Sequence, residues 1–250
     1  MKLFLTSHLG EHYWEESGPI PQLIPEENNW REVLRAEIGD KKTGLLIAAL
    51  PNEFDMNDSM AKDMMTSFEM TGYKVEELKV CDNRNWEMLP QLIKEAQFIV
   101  LSGGHVPTQN DFFVKIGLKE LIHKFDGTII GISAGTMNCA DEVYACPEEA
   151  GESIDPDYKR YIPGLGLTTI NILPHYQHLK DVMLDGVKMV DDIALKDSYR
   201  KSFIALVDNS YIKVENGKAT ICGEAYKAYN GKIEQICTVN NILELDGEKI

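Results

Sequence analysis

Residues 128–138 read Thr-Ile-Ile-Gly-Ile-Ser-Ala-Gly-Thr-Met-Asn, a β-branched apolar run that ends on a serine between small residues. A serine hydroxyl attacks a carbonyl only when a base takes its proton and a third group orients that base. Gly131-Ile132-Ser133-Ala134-Gly135 sets glycines two before and two after the serine, the spacing of a sharp strand-to-helix turn that lifts the hydroxyl into the open. The same letters also occur in glycine-bearing loops where the serine only caps a helix. A base therefore has to be found downstream. Of the six histidines, His8, His12, His105, His123, His175 and His178, His175 is the best placed, because it leaves an apolar strand directly behind Pro174. His178 reads as solvated or as part of the pocket lining, and His123 as a surface residue of a helix.

A second constellation competes. His8-Leu9-Gly10-Glu11-His12 matches the H-x-x-E-H spacing of a zinc peptidase, whose two histidines must share one helical face. Gly10 disfavours that helix, and the segment runs on into Tyr-Trp-Glu-Glu-Ser-Gly-Pro, which is loop chemistry. No metal is expected. The segment reads instead as a loop in which His8, His12, Tyr13 and Trp14 cover a pocket.

The elements that would position these groups alternate. Residues 2–6 and 43–50 read as strands, the second stopped by Pro51. Between them, residues 11–28 carry three prolines and a cluster of acids and read as an extended loop, after which Asn28 or Asn29 caps a helix to Ile38. A helix over 58–71 ended by Gly72, a strand over 73–80, a helix over 86–96, a buried strand over 97–101 opening onto Ser102-Gly103-Gly104, and a helix over 112–125 lead to the serine. This order predicts an α/β fold: a doubly wound, mostly parallel sheet with helices on both faces. Ligands of such sheets bind at the carboxyl ends of the strands, where Ser133 and Gly104 fall. Residues 142–163 are acidic and loop-rich, and 168–173 read as a strand. From Ser202 on, alternating runs punctuated by Asp208-Asn209, Asn216-Gly217, Asn230-Gly231 and Asp246-Gly247 predict C-terminal antiparallel hairpins. Residues 1–250 read as a single α/β domain.

Composition narrows the partners. The chain has 250 residues, 44% of them hydrophobic, enough for one substantial core, and a formal net charge of -15 with no basic cluster, which argues against nucleic acid. The apolar run after Lys2 is too short for a signal core or a spanning helix, so a cytoplasmic protein without a membrane partner is expected. Five cysteines (Cys81, Cys139, Cys146, Cys222, Cys237), an odd number with no C-x-x-C pair, read as reduced packing residues.

Four segments in order, Leu-Ser-Gly-Gly, Ile-Ile-Gly-Ile-Ser-Ala-Gly-Thr, Leu-Pro-His-Tyr and Ile-Ala-Leu-Val-Asp-Asn-Ser-Tyr-Ile-Lys-Val-Glu-Asn-Gly-Lys, resemble the peptidase E/cyanophycinase family of serine peptidases. The resemblance implies a class I glutamine-amidotransferase-like fold and hydrolysis of an amide bond in a small peptide, without cofactor. It implies Ser133 as nucleophile, His175 as base, and Asp208 as orienting acid where members commonly carry glutamate, with Asp141 as the alternative acid. The backbone N–H groups of Gly104 and Ala134 would form the oxyanion hole. Where the family continues Gly-Gly-Asn-Thr, this chain has Gly103-Gly104-His105-Val106-Pro107-Thr108, which makes His105 and Thr108 the expected substrate contacts. Aspartyl-dipeptidase members also use an arginine after the catalytic histidine, and here only Lys180 and Lys188 precede Ala194, with Arg200 further on. Alternative readings are a cyanophycinase-like or other amidohydrolase and a non-catalytic small-molecule-binding member of the fold. The expected partner is a small peptide substrate, and a homodimer is open to the chain.

Overall fold

The computed structural model describes residues 1–10, 12–15 and 18–245. Glu11, the side chains of Tyr13 and Trp14, and the Asp246-Gly247 turn lie outside the described part, and with them the expectations placed on those residues. Eight strands form the main sheet in the order Ile242–Leu245, Lys218–Cys222, Tyr211–Glu215, Lys2–Thr6, Thr128–Ile132, Phe98–Leu101, Thr43–Ile47 and Glu77–Cys81. The last five are mutually parallel and the first three are antiparallel additions. This is the expected α/β architecture.

Alternation along the parallel strands sorts the core into two layers, because successive side chains point to opposite faces. Leu3, Leu5, Leu45, Ile47, Ile99 and Ile129 pack on one side under the helices Leu89–Glu95, Val106–Lys115 and Leu118–Ile122. Phe4, Leu46, Val100 and Ile130 face the other way, against Trp30–Ile38 and Phe54–Met70. Strands buried on both faces read as continuous apolar runs, which is why they were legible.

Several boundaries differ from the sequence reading, each for a local reason. The helix expected over 112–125 is two helices, parted at Gly117, whose φ of 62° turns the chain. The strand expected from Tyr73 begins at Glu77, and that expected over 168–173 is confined to Ile172–Leu173. The proline-bearing stretch after His8 contains a small hairpin, His12–Glu15 with Gly18–Pro21. Asn216-Gly217 and Asn230-Gly231 are hairpin turns, with φ between 51° and 76° at all four residues. Asp208-Asn209 is not one. It carries the chain from Phe203–Leu206, in a second sheet of Ile172–Leu173, Phe203–Leu206, Ala225–Tyr229 and Lys232–Cys237, into Tyr211–Glu215 of the main sheet. Among the described residues, no helix is long and apolar enough to cross a membrane.

Candidate active site

The Thr128–Ile132 strand delivers Ser133 at φ 49°, ψ −112°, a conformation that a residue with a Cβ occupies only under constraint. The constraint is visible in hydrogen bonds. Ser133 N–H donates to the Thr6 carbonyl (3.0 Å) and Gly135 N–H to the Ser102 carbonyl (3.2 Å). Buried Thr136 accepts the Thr6 N–H at 2.9 Å, and its hydroxyl lies 2.6 Å from the Gly131 carbonyl. Both flanking glycines are sterically required: a Cβ on Gly131 would stand 2.8 Å from the Thr136 backbone, and one on Gly135 would fall on the Leu101 carbonyl oxygen. The Ser133 side chain makes no capping bond to the helix Ala134–Met137 that follows. The geometry is thus that of a partly exposed, unbonded hydroxyl on a strained elbow rather than that of an N-cap.

His175 emerges from the second sheet, after Leu173-Pro174, in the left-handed region at φ 55°, and its N–H donates to Ser7 Oγ at 3.0 Å. Its Nδ1 lies 2.8 Å from Asp208 Oδ1, while the Asp208 N–H donates to Gln177 Oε1 at 3.1 Å. With the ring proton on Nδ1, as that carboxylate favours, Nε2 is left as the basic nitrogen. Two more imidazoles converge on the other oxygen: His8 Nε2 and His178 Nε2 stand 3.6 and 3.7 Å from Asp208 Oδ2, and the His8 ring lies parallel to that of His175 with centroids 6.3 Å apart. Burial pushes the Asp208 carboxyl up, but the bond and charge of His175, the charge of His8 and the bond with Gln177 outweigh it and hold the group below the usual carboxylate range. Ser133 and His175 line one cavity of about 260 Å³. They are not hydrogen-bonded to each other among the contacts of the described residues, a spacing common before substrate binds. Asp141, the alternative acid, is half-exposed and bound to Lys201 (3.2 Å), away from His175.

Gly104 opens the Ser102-Gly103-Gly104 turn at φ 155°, where a Cβ would meet the Ala49 Cβ at 2.6 Å, and a Cβ on Gly103 would touch the Ser133 Cβ at 3.4 Å. This close approach brings the turn beside the serine. Neither the Gly104 nor the Ala134 N–H is used by another group among the described residues. His105 and Thr108, the expected substrate contacts, bond to each other. His105 Nδ1 bonds Thr108 Oγ1 and its Nε2 bonds Glu152 Oε1, both at 2.8 Å, and neither residue lines the cavity with Ser133. His123, read as a surface residue, bonds the Leu165 carbonyl at 2.8 Å.

The H-x-x-E-H residues do not share a helix: His12 opens a strand while His8 faces Asp208. His105, Glu149 and Glu152 can each bring one ligand atom within 4.8 Å of the others, but both His105 nitrogens are already engaged. Of the three cations that follow His175 in the sequence reading, Arg200 and Lys188 are paired elsewhere. Arg200 pairs with Glu142 at 2.6 Å and lies over the Tyr161 ring, Lys188 pairs with Asp191, and no lysine or arginine lines the cavity. A larger cavity of about 810 Å³ lies at the opposite, amino ends of the strands, around Lys2, Gly127 and Thr128, and contains none of the candidate catalytic residues. Ser7, Gln177 and Thr136, which the sequence did not single out, buttress the site. Their only signal was position beside strand ends.

Compared with known proteins, residues 29–222 match the sequence model of peptidase family S51. Among solved structures, the chain is similar to a protein of Listeria monocytogenes EGD-e whose own assignment as peptidase E is provisional. The TM-score is 0.58 and the identity 14%, over 94% of this chain and 98% of that one, a likeness of fold. No curated protein matches the chain.

Proposed function

The chain belongs to peptidase family S51, and on that premise we propose that it hydrolyses an amide bond of a small peptide through an acyl-enzyme at Ser133. The observation that carries this reading is the 2.8 Å contact of His175 Nδ1 with Asp208, in one cavity with a serine held on a strained elbow. His175 Nε2 takes the proton as Ser133 Oγ attacks the carbonyl carbon, and Asp208 stabilises the imidazolium that forms. The N–H groups of Gly104 and Ala134 receive the developing oxyanion, each contributing about 3 kcal/mol by analogy with known oxyanion donors. His175 then returns the proton to the leaving amine, and water repeats the sequence on the ester. Aspartate is a methylene shorter than the glutamate common in the family. From the crossover that leads into Tyr211–Glu215 it nevertheless reaches His175 Nδ1 at 2.8 Å. A fluorophosphonate probe tests the proposal: covalent labelling at Ser133 is expected, and absence of labelling in folded protein would show a binding module.

Selectivity for an acidic side chain next to the scissile bond needs a cation held there, ideally an arginine fork. With Arg200 held by Glu142 and no cation in the cavity, kcat/KM for Asp-Leu is expected to stay within about a hundredfold of that for Ala-Leu at about pH 8, less than roughly 2.7 kcal/mol of differential transition-state binding. A larger preference would mean that a lysine or arginine reaches the cavity in the complex. Exhaustive chelation is expected to leave turnover unchanged, since the proposed chemistry routes no step through a metal. Stoichiometric zinc in the purified protein, lost in His8→Ala, would restore the metallopeptidase reading.

A further inference from the structure

The cavity beside Ser133 has one acid in otherwise apolar walls. Met137, Cys146, Pro147, Leu173, Leu179 and Val182 supply the apolar lining, His178 stands at the rim, and Glu148 is the single carboxylate. The Glu148 carboxyl makes no hydrogen bond or ion pair among the described residues. Its neighbour Glu152 is fully committed: Oε1 bonds His105 Nε2, and Oε2 accepts the N–H groups of Glu148 and Glu149 at 2.8 and 3.0 Å. Asp185 adds a second clamp, accepting the N–H of Gly151 at 2.9 Å and the hydroxyl of Ser153 at 2.7 Å. The loop that presents Glu148 is therefore held in place, and the acid it presents is left unpaired.

That acid is solvent-exposed at the wall of the cavity. Partial desolvation at the cavity wall, with the charges of Glu152 and Glu149 added, raises its carboxyl above the usual carboxylate range. Among the described residues no lysine or arginine lines the cavity to pair with the acid. A carboxyl in such a setting gains most from a cation brought in by a ligand. The apolar walls call for an aliphatic stem to cover them, and a long basic side chain combines stem and charge.

We infer that this cavity is the pocket for a lysine or arginine side chain of the substrate, with the Glu148 carboxylate as its counter-charge. The inference rests on Ser133 acting in peptide hydrolysis and assigns the substrate class of that site. It also gives the acidic composition a use, since a chain of net charge -15 attracts basic peptides and repels acidic ones.

Two measurements separate this inference from the reading beneath it. With wild-type enzyme at about pH 8, kcat/KM for Lys-Leu is expected to exceed that for norleucyl-leucine, its uncharged analogue, by about tenfold, and Glu148→Gln is expected to bring the ratio to about one. Calorimetry on the full-length Ser133→Ala protein with the same two dipeptides is expected to show tighter binding of Lys-Leu, lost when Glu148→Gln is added. If nothing is hydrolysed but this binding preference holds, the peptidase reading falls and the pocket stands. Equal binding of the two dipeptides overturns the pocket. So does an equal loss of both in Glu148→Gln, which would set Glu148 opposite the α-ammonium that they share.

Discussion

Ser133→Ala and His175→Ala are each expected to lower kcat/KM on any dipeptide the wild type cleaves by about 10⁴-fold or more, and to abolish fluorophosphonate labelling. The two groups act in one proton transfer, so the double variant is expected to be no slower than either single one. Folding is a separate matter. The Ser133 hydroxyl has no hydrogen-bond partner among the described residues, so Ser133→Ala breaks no contact, and its thermal unfolding is expected to match the wild type. His175→Ala removes the 2.8 Å partner of a mostly buried carboxylate and is expected to cost about 1–3 kcal/mol, read as a lower unfolding midpoint. The backbone bond from residue 175 to Ser7 Oγ survives that substitution. Wild-type turnover in Ser133→Ala would remove the serine from the chemistry.

Asp208→Asn is expected to reduce kcat/KM by about 10³–10⁴-fold with little change in KM. An asparagine can turn its amide toward the ring and donate to Nδ1, which moves the ring proton to Nε2, the nitrogen that must accept from Ser133. The contrast that makes this informative is Asp141→Asn: Asp141 faces Lys201 and the Glu142 N–H, and its loss is expected to leave kcat/KM unaltered. Asp208→Glu restores the acid more common in the family and measures reach alone. A loss well below that of Asp208→Asn is expected, because charge and proton position are kept while the bond geometry is strained. If Asp141→Asn were inactive and Asp208→Asn active, the orienting acid would be misassigned.

The serine and the histidine were legible along the chain because their signals are local, whereas Asp208 entered only through the family resemblance. Residues 128–135 carry the buried strand, the serine and two glycines, and each glycine is needed for a contact set by the turn itself or by the adjoining strand. The parallel strands were legible because burial on both faces demands unbroken apolar runs. Asn216-Gly217 and Asn230-Gly231 declared their turns because positive φ at two successive residues selects those types. Asp208-Asn209 carries a similar signal and means something else. Whether two alternating runs pair with each other or join different sheets depends on what packs around them, and no feature of residues 203–215 reports that.

What the sequence by itself determined is the order of strand and helix, the elbow serine and the candidate base, since periodicity, turn chemistry and residue type are properties of short segments. The tertiary structure decided which acid meets the histidine and what surrounds them. The Ser7 to His175 bond spans 168 residues, the Thr6 to Thr136 bond 130, and His8 reaches Asp208 from the other end of the chain. It also withdrew His105 into a bond with Glu152 and left Glu148 facing the cavity, although the two glutamates lie in one short acidic stretch that looks uniform as text. Such choices turn on which polar groups find partners across the fold, and partners distant in the chain leave no periodic trace in it.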